Sequence, residues 1–134
     1  MATATASQII NRALSIINVI AAEEAVSASD MVDCLQILND MMFNFPARGI
    51  QYVHADLAQT DTVNVPDGYL RNLTILLADD LADNFGMPIS PDLRTDIMRA
   101  EQQLQAFYFV SAPAKIGRGL LRWRYGFWNI NRTN

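Results

Sequence analysis

The stretch Ser27-Ala28-Ser29-Asp30-Met31-Val32-Asp33-Cys34-Leu35-Gln36-Ile37-Leu38-Asn39-Asp40-Met41-Met42-Phe43-Asn44-Phe45-Pro46 carries the clearest amphipathic pattern in the chain. Met31, Leu35, Leu38, Met42 and Phe45 recur at spacings of four, three, four and three, which places them on one helical face. Asp33, Gln36 and Asp40 fall on the other side. Ser27, Ser29 and Asp30 form a helix start, with hydroxyls able to cap free N–H groups and an acid favoured by the helix dipole. Pro46 and Gly49 end the helix, because proline lacks the next donor and clashes with the preceding turn.

Working outward, three more helices follow from the same logic. Thr5-Ala6-Ser7-Gln8 has the form of a capping box, and Ile10, Leu14, Ile17 and Ala21 continue it on one face, predicting a helix to about Ile20. A third helix is expected from about Gly68 or Tyr69 to Phe85, with Leu70, Leu73, Leu77 and Leu81 as its buried stripe. Ser90-Pro91-Asp92 opens a fourth, whose apolar face is Leu93, Ile97, Ala100, Leu104 and Phe107, running to about Val110 before Pro113. Between the second and third helices, residues 51–65 lose the helical period. Tyr52 to Leu57 alternates weakly and Thr62 to Val65 better, with Gln59-Thr60-Asp61 between them as a turn. This predicts an extended arm or a short β-hairpin that needs support from the helices or from a neighbouring subunit. The fold class is therefore mainly α: a four-helix, bundle-like domain over residues 1–112, an arm or hairpin at 51–65, and an extended C-terminal tail at 113–134.

With 134 residues the chain suits one domain with one core, and 51% hydrophobic composition excludes a solvated disordered chain. No apolar run reaches the length of a membrane span, and no basic n-region precedes Ile9-Ile10, so neither a membrane partner nor a secretory signal is expected. One cysteine, Cys34, excludes an internal disulfide and a cysteine-built zinc site and suits a reducing cytoplasm. Charge is unevenly spread. Residues 1–112 hold five arginines against fourteen acids, a net −9, whereas 113–134 hold Lys115, Arg118, Arg122, Arg124 and Arg132 with no acid, a net +5. An acidic body thus carries a basic tail that suits an acidic partner.

Catalytic constellations are sparse. His54 stands alone in the extended segment, without a nucleophile elbow elsewhere to serve, and Cys34 beside an apolar stripe reads as a small buried thiol. Asp79, Asp80 and Asp83 share part of one helical surface; a solvated polar face explains them, and a carboxylate-dependent hydrolase is the alternative. No phosphate loop or dinucleotide fingerprint occurs, and no cofactor is expected. The tail asks most for a role. Arg118, Arg122 and Arg124 interleave with Trp123, Tyr125, Phe127 and Trp128, and four aromatics within six residues exceed what a solvated tail needs. Three readings fit: docking into pockets of a partner protein, the favoured one, sequence-blind contact with nucleic acid, and a tail folded back over the chain's own helices.

The segment Thr5 to Leu14, the run Ala28-Ser29-Asp30 with Leu35 to Met42, and Val65-Pro66-Asp67-Gly68-Tyr69 before a third helix together resemble head-to-tail connector (adaptor) proteins of tailed bacteriophages. The likeness is to the tail accessory, or packaged-DNA-stabilisation, type of short-tailed phages, over residues 5 to about 112. It implies a virion protein without enzymatic activity, repeated as a dodecameric ring beneath the portal protein. By position, Lys115, Arg118, Arg122, Trp123, Arg124, Tyr125, Phe127 and Trp128 match the extension that clasps the portal. The opposite end of the ring is expected to receive the tail tube or nozzle. Tyr52, Val53, His54, Val63 and Val65 are expected to meet a neighbouring subunit or tail component. Packaged DNA passes through such a lumen without sequence-specific binding, which suits an acidic body.

Overall fold

A computed structural model describes residues 4–21 and 24–111. Its helices are α1 (Ala6–Ile16), α2 (Ala28–Phe43), α3 (Asp67–Phe85) and α4 (Pro91–Phe107), with a 3-10 turn at Phe45–Arg48. The caps read from sequence are in place. Thr5 accepts from the Gln8 N–H while the Gln8 side chain accepts from the Thr5 N–H, Ser27 caps Asp30, and Ser90 caps Leu93 ahead of Pro91. Each such cap stabilises its helix by about 1 kcal/mol.

α3 is the central helix. It packs against α1, α2 and α4, and it is buried well beyond the expected stripe: Ile75, Leu76, Ala78 and Ala82 join Leu70, Leu73, Leu77 and Leu81. A helix that is apolar over most of its circumference must sit in the interior, and this one does. On α2 the buried face is turned slightly from the one the spacing indicates. Cys34, Leu38, Met41, Met42 and then Phe45 are enclosed, while Met31 and Leu35 are half-buried. α4 is peripheral, burying Ile97, Ala100 and Leu104. Asn72 Nδ2 donates to Gln103 Oε1 across the α3–α4 contact at 2.8 Å.

Two helix ends are corrected. α1 stops at Ile16 rather than near Ile20, because Asn18 adopts a left-handed φ of 57°, from which the Val19 N–H reaches back to the Leu14 carbonyl. Asparagine tolerates that region better than most residues, so it ends the helix as a glycine would. α4 ends at Phe107 rather than near Val110, with the Tyr108 N–H closing on the Leu104 carbonyl.

Residues 51–65 form the extended arm and not a hairpin. The chain turns at Gln59-Thr60, held by the Asp61 N–H to the Ala58 carbonyl and the Ala58 N–H to Asp61 Oδ2, but the two flanks do not pair with each other. Thr62 instead bridges antiparallel to Thr5, and Val63 N–H donates to the Ala4 carbonyl. The carbonyls of Asp61 and Gln59 accept from the Ala6 and Ser7 N–H groups. Those donors lie in the first turn of α1 and have no partner within the helix. The arm therefore completes the start of α1. No described helix is long and apolar enough to cross a membrane.

Candidate functional site

The first half of the arm is fixed to α2 by one buried amide. Asn39 Nδ2 donates to the Leu57 carbonyl at 3.2 Å, and its Oδ1 accepts from the Leu57 N–H at 3.0 Å. A backbone N–H only donates and a carbonyl only accepts, so this pair fixes which way the amide faces. His54 Nε2 lies 2.9 Å from the same Oδ1, so Nε2 carries the proton and donates. Burial pulls the His54 pKa below its ordinary value, with Asp56 opposing. His54 is thus a neutral latch on the arm, with no nucleophile or orienting carboxylate among its hydrogen-bond partners in the described residues.

Around that latch the arm and the helix ends assemble a run of rings. Phe43 meets His54 edge-on at 4.6 Å between centroids, and Tyr52 stands 6.2 Å from His54 and 5.5 Å from Tyr108. Phe107 lies 4.8 Å from Tyr108 and 4.3 Å from Tyr69. The edge-to-face pairs among these, Phe43–His54, Tyr52–Tyr108 and Phe107–Tyr108, add about 0.5–1.5 kcal/mol each beyond the area they bury. Part of the run is still open to solvent, Phe43 being 53% exposed and Phe107 45%, and Phe109 beyond the end of α4 is 71% exposed. Contiguous exposed rings of this sort mark contact surfaces.

The residues expected to meet a neighbour divide accordingly. Val53 is 94% exposed and Tyr52 and His54 are half-buried within the ring run. Val63 and Val65 are corrected: both are buried in the chain's own core, because the arm folds onto α1 and presents its alternate side chains inward. The expected docking tail, Lys115 to Trp128, lies outside the described residues. Asn39 and the rings of Phe43, Tyr69 and Phe107 carried no signal in the sequence, since their proximity depends on how four separate segments pack.

Asp79 and Asp80 are half-buried on α3, and Asp83 is exposed. Burial raises both half-buried carboxyl pKa values, Asp83 adding to the effect on Asp79, while Arg48 acts against it. Arg48 itself pairs with Glu101 (Nε to Oε1, 2.9 Å), and its carbonyl accepts from Gln105 Nε2, so the 3-10 turn is pinned to α4. Among the described residues no group of three His, Cys, Asp or Glu side chains is placed to hold a metal ion. Cys34 is fully enclosed, its thiol pushed up to about 11 chiefly by burial, so it stays protonated and unreactive near neutrality. No protein-family model and no curated protein sequence matches the chain.

Proposed function

We propose that this chain is a head-to-tail adaptor of a tailed bacteriophage: a structural virion subunit that forms a ring below the portal, joins capsid to tail, and helps retain and pass packaged DNA. The observation that carries the reading is the partly open run of rings from Phe43 through His54, Tyr52 and Tyr108 to Phe107, with the exposed Phe109 just beyond the end of α4. The tyrosines of the run pack against the core, whereas Phe43, Phe107 and Phe109 keep open faces among the described residues, and a partner protein gains by burying them.

In this account the arm face meets a neighbouring adaptor subunit or the tail tube or nozzle. The tail, with Arg118, Arg122, Arg124, Trp123, Tyr125, Phe127 and Trp128, docks into the portal. Arginine and large aromatics dominate interface energetics because they bury much area at a small cost in conformational freedom. Repetition around a ring multiplies modest contacts into avidity, and an acidic body lets DNA slide without sticking. None of this asks for an active site.

Removing residues 113–134 tests it. The shortened chain should keep its helical circular dichroism and lose portal attachment. Retained attachment overturns the docking role, and a loss confined to salt-sensitive DNA affinity favours a DNA-binding protein instead.

A further inference from the structure

Arg12 and Arg71 stand on the rim of an open groove of about 920 Å³ between α1 and α3, floored by Ile16, Ile20 and Leu70. Neither arginine makes an ion pair with a carboxylate among the described residues, where Arg48 is paired with Glu101. Two acids share the rim. Glu24 turns back to accept from the Ala21 N–H at 3.4 Å, and Asp67 occupies the first turn of α3, where the helix dipole favours an anion. The groove therefore offers an apolar floor between two cations that form no ion pair among the described residues, in a body whose overall charge is strongly negative.

The matching surface lies on α2. Its outward face carries Val32, 58% exposed, flanked by the exposed Asp33, Gln36 and Asp40. Asp40 accepts from Gln36 Nε2, and among the described residues neither aspartate forms an ion pair. No α2 residue lines the groove, and the inward face of α2 is committed to the core, so a chain cannot fill its own groove with this helix. Two complementary patches at separate places on one subunit make a head-to-tail contact, which closes into a ring when the rotation between copies allows.

We propose that the outward face of α2 from a second copy seats in the α1–α3 groove, with Val32 on the apolar floor and Asp33 and Asp40 against Arg12 and Arg71. This rests on the adaptor reading and names the faces by which its subunits meet. The apolar centre supplies attraction, while the charged rim sets register and rejects mismatched pairings.

Paired charge reversal decides the matter, using the full chain alone and on the portal and counting copies by native mass measurement. Arg12→Glu with Arg71→Glu reverses the rim; Asp33→Arg with Asp40→Arg reverses the face. Each double variant should keep its helical signal, since all four side chains are exposed, and should self-associate at least about tenfold more weakly. Mixing the two variants should restore assembly as alternating copies, because each reversed rim then meets a reversed face. Undiminished assembly of either variant, or a mixture that fails to recover, overturns the contact. If the variants assemble fully while loss of residues 113–134 still abolishes portal attachment, the adaptor reading stands and this inference alone falls. A rim-reversed variant that loses DNA affinity but assembles normally assigns the groove to phosphates, which also overturns it. An unaltered chain that stays monomeric both alone and with the portal removes both.

Discussion

Asn39 is one side chain holding a whole segment in place. Its three hydrogen bonds, two to Leu57 and one to His54, leave with Asn39→Ala, and the backbone groups of Leu57 are left partly enclosed without partners. The expected cost is about 1–3 kcal/mol in urea unfolding, with faster proteolysis within residues 51–58 and unchanged helix content. Titration at two other sites pulls stability in opposite directions. The folded state holds His54 below its ordinary pKa of 6.5, so the unfolded chain takes up the proton first, and stability should decline as pH falls below about 6.5. His54→Gln should flatten that part of a Tm-against-pH curve. For Asp80 the folded pKa lies above the ordinary 3.8, so ionisation works against folding at neutral pH. Asp80→Asn should raise Tm at pH 7, and the gain should disappear below pH 3.8, where the carboxyl is protonated in both states. A lowered Tm at pH 7 would show that the charge contributes through Arg48 more than burial costs it. None of these roles stood out in the sequence. A lone histidine and an asparagine beside an apolar stripe are common, and only packing brought them together.

At the scale of elements, local chemistry was legible and long-range backbone pairing was not. Thr5, Ser27 and Ser90 announced their helices because an N-cap needs only a short polar side chain and the next three residues. The stop at Asn18 was also within reach of the sequence, since asparagine after an apolar run is a known left-handed terminator. The partner of Thr62 was not, because alternation in a strand-like segment reports which side chains turn inward but not which backbone lies alongside. Thr5 and Thr62 are far apart in sequence, and only the finished fold joins them. At the end of α3, Gly86 holds φ 63° with open space where a Cβ would stand, so its substitution is resisted by backbone conformation alone. Gly86→Ala should therefore cost about 1 kcal/mol in thermal or chemical unfolding, with Gly86→Asn costing less. Equal, negligible effects of both would mean that the α3–α4 connection is not held by this turn.

Over the whole molecule, the mainly helical architecture followed from periodicity, but the rank of the helices did not. The stripe on α2 was the most regular, yet α3 proved central, because burial on many sides erases the very periodicity that makes a helix easy to find. The exposed ring run was hidden for a related reason: Phe43, Tyr52, Tyr69 and Phe107 sit on four segments, and no spacing along the chain reports that they meet. The tail, by contrast, was conspicuous in composition alone, and the account gives it the decisive task of anchoring the subunit to the portal. Native mass measurement of the chain mixed with a tailed-phage portal protein, with and without residues 113–134, tests that proposal most directly. The account predicts a portal carrying a full ring of the intact chain and a bare portal with the shortened one. Equal occupancy by both forms, or a portal left empty by the intact chain, would contradict it.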